Sequence, residues 1–234
     1  MTALDTSKVS IKTSLAACFG RNLYEQPGAH DFLQELSQSA QEVNVQQGCY
    51  IFKEGDPSDY VFIAISGAIM LERSSRKGAR HVFAFLFTGN LLGLSEFTVY
   101  SFSAVALTST TVVKINKRLI QNIFERHPKI AKSFHDFTTH VLLYVLDQMY
   151  ILGQKTAPQR LAHFLLDMNN RLGRSSGQFY LPMNRIDIAD YLGMSLETTS
   201  RSFSNLKRRK MIEIESSHKI IISNQQAMLA FVDE

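Results

Sequence analysis

Within the stretch YLGMSLETTSRSFSNLKRRK, residues 191–210, three side chains capable of directional hydrogen bonding fall close together: Glu197, Ser200 and Arg201. Arginine offers a planar fork that donates two hydrogen bonds to guanine O6 and N7, a carboxylate accepts from cytosine N4, and serine serves several partners. On a helix Thr199, Phe203 and Leu206 share one side at i, i+4 and i+7, while Glu197, Ser200, Arg201, Ser204 and Arg208 share the other. Taken alone, a glutamate four residues before an arginine is equally a surface ion pair worth about 0.2–0.5 kcal/mol. The neighbouring elements decide between the two readings.

Those elements have the grammar of a helix-turn-helix. Asn184 with Asp187 three residues on forms a capping box for a short helix that buries Ile188, Ala189 and Leu192, and Gly193 stops it. Ser195 caps a second helix after a short turn, and small Ala189 permits a sharp crossing. The segment KMIEIESSHKIIIS then reads as a hairpin that forms a wing. The motif is placed at about 185–204. Glu197, Ser200 and Arg201 are the expected base-reading residues of a double-stranded DNA interface. Asn184, Ser195, Thr198, Lys207 and Arg208 are the expected backbone contacts, since a basic C-terminal run lies away from the groove floor.

Upstream, residues 41–115 read as short strands punctuated by Gly48, Gly55, Gly67, Gly78 and Gly89, the pattern of an antiparallel roll. The period turns helical near Pro128. Ile130, Phe134, Phe137, Val141, Tyr144, Gln148 and Ile151 follow in steps of four and three, a heptad seam expected to pair with a second copy. Thr156 and Gln159 then box the start of another helix, which leaves 154–155 as a hinge. The expected organisation is α+β: an N-terminal extension (1–27), a β-roll (28–124), a dimerisation helix (125–154) and a winged helix-turn-helix (155–234).

The formal charge of +4 is modest, but between Lys155 and Val232 eleven bases face six acids, so the excess resides in the C-terminal part. No apolar run approaches the roughly 20 residues of a membrane span, and the start of the chain lacks the pattern of a secretory signal. A cytoplasmic location without membrane contact is expected. Cys18 and Cys49 are too few for a disulfide framework.

Taken with these elements, EGDPSDYVFIAISGAIML, LLGLSEF, APQRLAHFLLDM and IADYLGMSLETTSRSFSNLKRRKMI resemble the Crp/Fnr family of bacterial transcription regulators, over about residues 28–224. The resemblance implies a cyclic-nucleotide-binding-type β-roll and a homodimer that contacts RNA polymerase as an activator. Glu197, Ser200 and Arg201 match the Glu-x-x-Ser-Arg pattern of the Fnr and FixK branch, whose sites are similar to TTGAT and ATCAA in inverted repeat. Leu196 stands where the cyclic-AMP branch has an arginine. In the roll, Leu94 and Phe102 replace the glutamate and arginine that hold ribose and phosphate, so no cyclic nucleotide is expected. Two cysteines cannot supply the four thiolates of a 4Fe-4S cluster. A haem- or redox-gated sensor is the alternative, with His81, His135 and His140 as conceivable ligands and Cys49 as the redox group. A cupin-like metal enzyme is a remote one, because the strand region 41–115 of the roll offers only His81 to a metal. The chain is expected not to be an enzyme.

Overall fold

In the computed structural model the described residues are 29–234 apart from 76–77, 96 and 174–176, with side chains 29, 129, 130, 133 and 137 also left out. The expected extension 1–27, Cys18, and the side chains of Ile130 and Phe137 therefore lie outside the description. Two compact units emerge, one reaching to 74 and including 83–143, the other formed by 75–82 and 144–234.

The first unit carries β1 (Gln41–Val45), β2 (Tyr50–Phe52), β3 (Tyr60–Ser66), β4 (Ile69–Ser74), β5 (Arg80–Leu86, whose first three residues group with the second unit), β6 (Leu91–Leu92), β7 (Ser103–Ala106) and β8 (Thr110–Asn116). Two four-stranded sheets result, β1-β8-β3-β6 and β2-β7-β4-β5. Strand β3 is apolar on both faces because both are covered. Phe62 and Ala64 point into a core with Phe52, Leu92, Tyr100 and Val112. Val61 and Ile63 point the other way, onto Phe32, Leu33 and Leu36 of helix α1 (Ala29–Ser39) and Ile123 of α2 (Lys117–Arg126). Between β3 and β4 only glycine fits: Gly67 has φ +87°, and a Cβ there would lie 2.7 Å from the Ser109 carbonyl oxygen.

Helix α3 (Pro128–Gln154) begins at its proline, as a first-turn residue that needs no N–H partner. The seam expected along it requires correction. Phe134 packs against Phe124 (5.0 Å between ring centroids) and the α1/α2 core. Ile151 is buried, and Tyr144 and Gln148 are hydrogen-bonded within the second unit. Of the expected seam, Val141 (46%) is exposed, and Tyr144 is partly so (38%) although its hydroxyl is hydrogen-bonded within the chain. The exposed apolar stripe lies on the other side of the helix, at Leu142 (57%), Leu146 (51%) and Met149 (64%), flanked by Val145. A helix apolar all round contains several 4,3 series, and periodicity cannot say which one the chain itself occupies.

The second unit comprises α4 (Ala157–Leu172), β9 (Gln178–Tyr180), α5 (Arg185–Leu192), α6 (Leu196–Arg208), β10 (Ile212–Ile214), β11 (Lys219–Ile222) and α7 (Gln225–Asp233). Leu161, Phe164, Leu165 and Met168 of α4 form its central buried face. The three strands make one antiparallel sheet, β10-β11-β9, with the expected hairpin at β10 and β11. The sequence reading does not anticipate α7. It is held to α4 by the Gln159 side-chain amide, which donates to the Phe231 carbonyl at 3.1 Å.

Candidate nucleic-acid interface

The short helix α5 is fixed at both ends by its own sequence. Asn184 Oδ1 accepts from the backbone N–H groups of Ile186 and Asp187, each at 2.9 Å, and Asp187 Oδ2 accepts from Asn184 N at 3.0 Å. Gly193 ends it in the left-handed region at φ 61°, with Met194 N donating to the Ala189 carbonyl at 2.9 Å. Ser195 Oγ then accepts from Thr198 N at 3.1 Å and starts α6. Asn184, Ser195 and Thr198 thus all serve the helix starts, whose positive dipole ends suit a phosphate. Within the same unit Arg80 donates Nη2 to Asp187 Oδ1 and Nε to Asp190 Oδ2, both at 2.7 Å. These pairs raise the guanidinium's already high pKa against the opposing effect of burial. No local pattern reveals a partner more than a hundred residues away.

Helix α6 is divided as the spacing predicts. Thr199, Ser202, Phe203 and Leu206 are buried, whereas Glu197, Ser200, Arg201, Ser204 and Arg208 are exposed. Arg201 Nη2 donates to Glu197 Oε1 at 2.5 Å with both side chains more than 70% in solvent. An ion pair so exposed is weak, so the arginine fork can exchange it for a base edge. Glu197, Ser200, Arg201, Ser204, Asn205 and Arg208 line a shallow concavity of about 550 Å³. Asn205 escapes the sequence reading, although its place four residues after Arg201 is the available signal. A second unanticipated residue is Arg185, whose guanidinium carbon lies 3.2 Å from the Phe203 ring centroid. Burial pulls that arginine down to about 10, and the stack ties the start of α5 to α6.

The four bases that close the stretch are not one surface. Lys207 and Arg208 are exposed in the last turn, but Arg209 lies over the Phe231 ring at 4.6 Å. Lys210 takes the left-handed conformation at φ 57°, donating N–H to the Lys207 carbonyl at 2.9 Å, while Met211 N reaches Leu206 O at 3.1 Å. This helix stop favours glycine. Lys210→Gly is expected to raise stability by about 0.5–1 kcal/mol, measured by urea denaturation, because the left-handed penalty exceeds glycine's entropic cost.

Residues 159–231 match the Crp-like helix-turn-helix domain, and residues 42–127 match the cyclic nucleotide-binding domain. Across 80% of this chain and 79% of the relative, 35% of residues are identical to the transcriptional activatory protein AadR of Rhodopseudomonas palustris. The protein belongs to the Crp/Fnr family. This Crp/Fnr regulator is 31% identical to the nitrogen fixation regulation protein FixK of Bradyrhizobium diazoefficiens, over 78% of each chain. The structure of FixK2 from Bradyrhizobium japonicum superposes with a TM-score of 0.78 at 31% identity, covering 82% of this chain and 96% of that one. The α+β architecture of roll and helix-turn-helix is therefore that of the family, and its members named here are regulators, not enzymes.

In the Crp/Fnr roll of this chain, Leu94 and Phe102 are the two positions that the resemblance matches to nucleotide anchors. Leu94 is exposed, and Phe102 packs near Phe52 (6.3 Å between centroids) and Phe83 (6.4 Å). Ser103 Oγ accepts from the Glu54 backbone N–H at 2.9 Å. His135 is exposed, His140 Nδ1 lies 2.7 Å from the Asp136 carbonyl of its own helix, and His81 is on β5. Among the described residues no group of three or more His, Cys, Asp or Glu is arranged to hold a metal, and no helix is long and apolar enough to cross a membrane. Cys49 is exposed.

Proposed function

We propose that the chain is a homodimeric, cytoplasmic transcription activator that reads an inverted repeat of the TTGAT and ATCAA type without cyclic nucleotide. The observation that carries this reading is the outward face of α6: Glu197, Ser200 and Arg201 are exposed together while Thr199, Phe203 and Leu206 fix the opposite face in the core. Arg201 suits the guanine of the half-site, Glu197 a cytosine amine and Ser200 a neighbouring edge. Leu196, 46% exposed at the start of α6, supplies an apolar side chain suited to a thymine methyl. Asn184, Ser195, Thr198, Lys207 and Arg208 supply phosphate contacts.

The exposed stripe Leu142, Leu146 and Met149 supports self-association, since such a patch on a soluble protein marks an interaction site and an inverted repeat calls for two-fold symmetry. Aromatic packing of Phe52, Phe62, Tyr100 and Phe102 inside the roll, with Leu94 and Phe102 at the anchor positions, supports function without a cyclic nucleotide. The likeness to the transcriptional activators AadR and Anr supports contact with RNA polymerase.

Selection from a randomised duplex pool tests the reading, with recovery of the inverted repeat as the expected result; recovery of no symmetric site would overturn it. Arg201→Ala is expected to lose about 1–3 kcal/mol of discrimination at one guanine per half-site, whereas Lys207→Ala weakens all sequences alike and lowers the salt slope by about one. Competition binding with singly substituted sites measures both.

A further inference from the structure

Three helices of the second unit meet at a set of polar side chains that neither the core nor the reading face requires. Tyr191, on α5, is 7% exposed. Its hydroxyl donates to Gln148 Oε1 on α3 at 3.0 Å and lies 3.3 Å from the Tyr144 hydroxyl, one helical turn before. Tyr144 in turn donates to Asp167 Oδ2 on α4 at 3.2 Å, and Arg171 Nη1 donates to the same carboxylate oxygen at 3.3 Å. Burial pushes both phenols above their ordinary pKa, so both hydroxyls carry their proton near neutral pH. Two phenolic protons serve three contacts. All three are satisfied together when Gln148 turns its amide to donate to Tyr191, which then donates to Tyr144 and so to Asp167, a chain in which each bond polarises the next.

We propose that the Tyr191 hydroxyl is a positioning group for DNA reading, holding α5 and the helix-turn-helix in one orientation on the C-terminal turns of α3. The inference rests on the dimeric reading given above. The same two turns of α3 present opposite faces: Tyr144, Gln148 and Ile151 toward α4 and α5, and Leu142, Leu146 and Met149 to solvent. A partner seated on the second face would inherit a fixed direction for each reading head. The ring of Tyr191 packs on Phe164 at 5.7 Å between centroids whatever its hydroxyl does, so the aromatic contact fills space and the hydrogen bonds set the angle. For a dimer on two half-sites, that angle governs the effective concentration of the second head once the first is bound.

The test is Tyr191→Phe in the full chain, with duplexes carrying one half-site, the selected inverted repeat, or that repeat widened by one base pair. Expected is an unchanged sedimentation profile and half-site affinity, an about tenfold loss on the selected repeat, and a flattened preference between the two spacings. A purely structural hydroxyl would lower half-site and full-site binding together and leave the spacing preference intact; that result overturns the proposal. Tyr144→Phe is the second variant, expected to flatten the same preference, so a Tyr191→Phe protein that fails to fold leaves the proposal exposed to refutation. If the unaltered protein itself shows no advantage on the inverted repeat, the dimeric reading is wrong and the positioning role falls with it. If the advantage is present and both variants keep it, the positioning role alone is wrong.

Discussion

Leu146→Glu is expected to yield a folded monomer whose affinity for the inverted repeat is reduced about 100- to 10,000-fold, with half-site affinity nearly unchanged. Leu146 is 51% exposed at the centre of the stripe made with Leu142 and Met149, so the substitution removes little packing within the chain. In a two-fold interface the substitution is present on both copies, so the change sets two carboxylates in an apolar seam at once. What is lost is the second head's attachment and with it the avidity. Multi-angle light scattering reads the mass, and titration of half-site and full-site duplexes reads the binding. A variant that remains dimeric would move the interface elsewhere on the chain. Ile151→Glu offers the contrast: that residue is buried within its own chain, so the expected effect is destabilisation of the second unit whatever the association state.

The second large effect is Phe203→Ala, expected to cost about 3–5 kcal/mol of stability in the second unit. Phe203 is 3% exposed on the inner face of α6, between Thr199 and Leu206, and its ring carries the Arg185 guanidinium at 3.2 Å. Truncation opens a cavity and leaves a partly buried cation without its aromatic surface. Because a domain's whole stability is only about 5–15 kcal/mol, this loss weakens the platform that holds Glu197, Ser200 and Arg201 at a fixed angle. Thermal and urea unfolding of the full chain measure the loss, and DNA titration at low temperature shows whether specific binding weakens as the platform loosens. Phe203→Leu, which keeps most of the volume, is expected to recover the greater part. An alanine variant of unchanged stability would show that α6 is held by other contacts.

Local chemistry made the reading head legible. The box at Asn184 and Asp187, the left-handed stop at Gly193 and the cap at Ser195 depend on residues within four positions of one another, so spacing alone reports them. The same holds for the two faces of α6, which follow from 3.6-residue periodicity in a helix with one polar side. Helix α7 was not legible, because nine residues of weak pattern are ordered by the Gln159 bond and by Arg209 over Phe231, groups distant in sequence. Arg80 beside Asp187 and Asp190 belongs to the same class.

Helix α3 marks the boundary between what sequence and tertiary structure decide. Its length, its proline start and its apolar run at 141–146 are properties of the chain, and the sequence determined them together with the family and the two faces of α6. Which side of the helix is free was a tertiary decision. Tyr144, Gln148 and Ile151 and the stripe Leu142, Leu146 and Met149 both step by four and three, so the two series are equivalent in pattern. The hydrogen bonds to Asp167 and Tyr191, brought up by α4 and α5, and the burial of Ile151 tie the first series to the chain's own helices and leave the second in solvent.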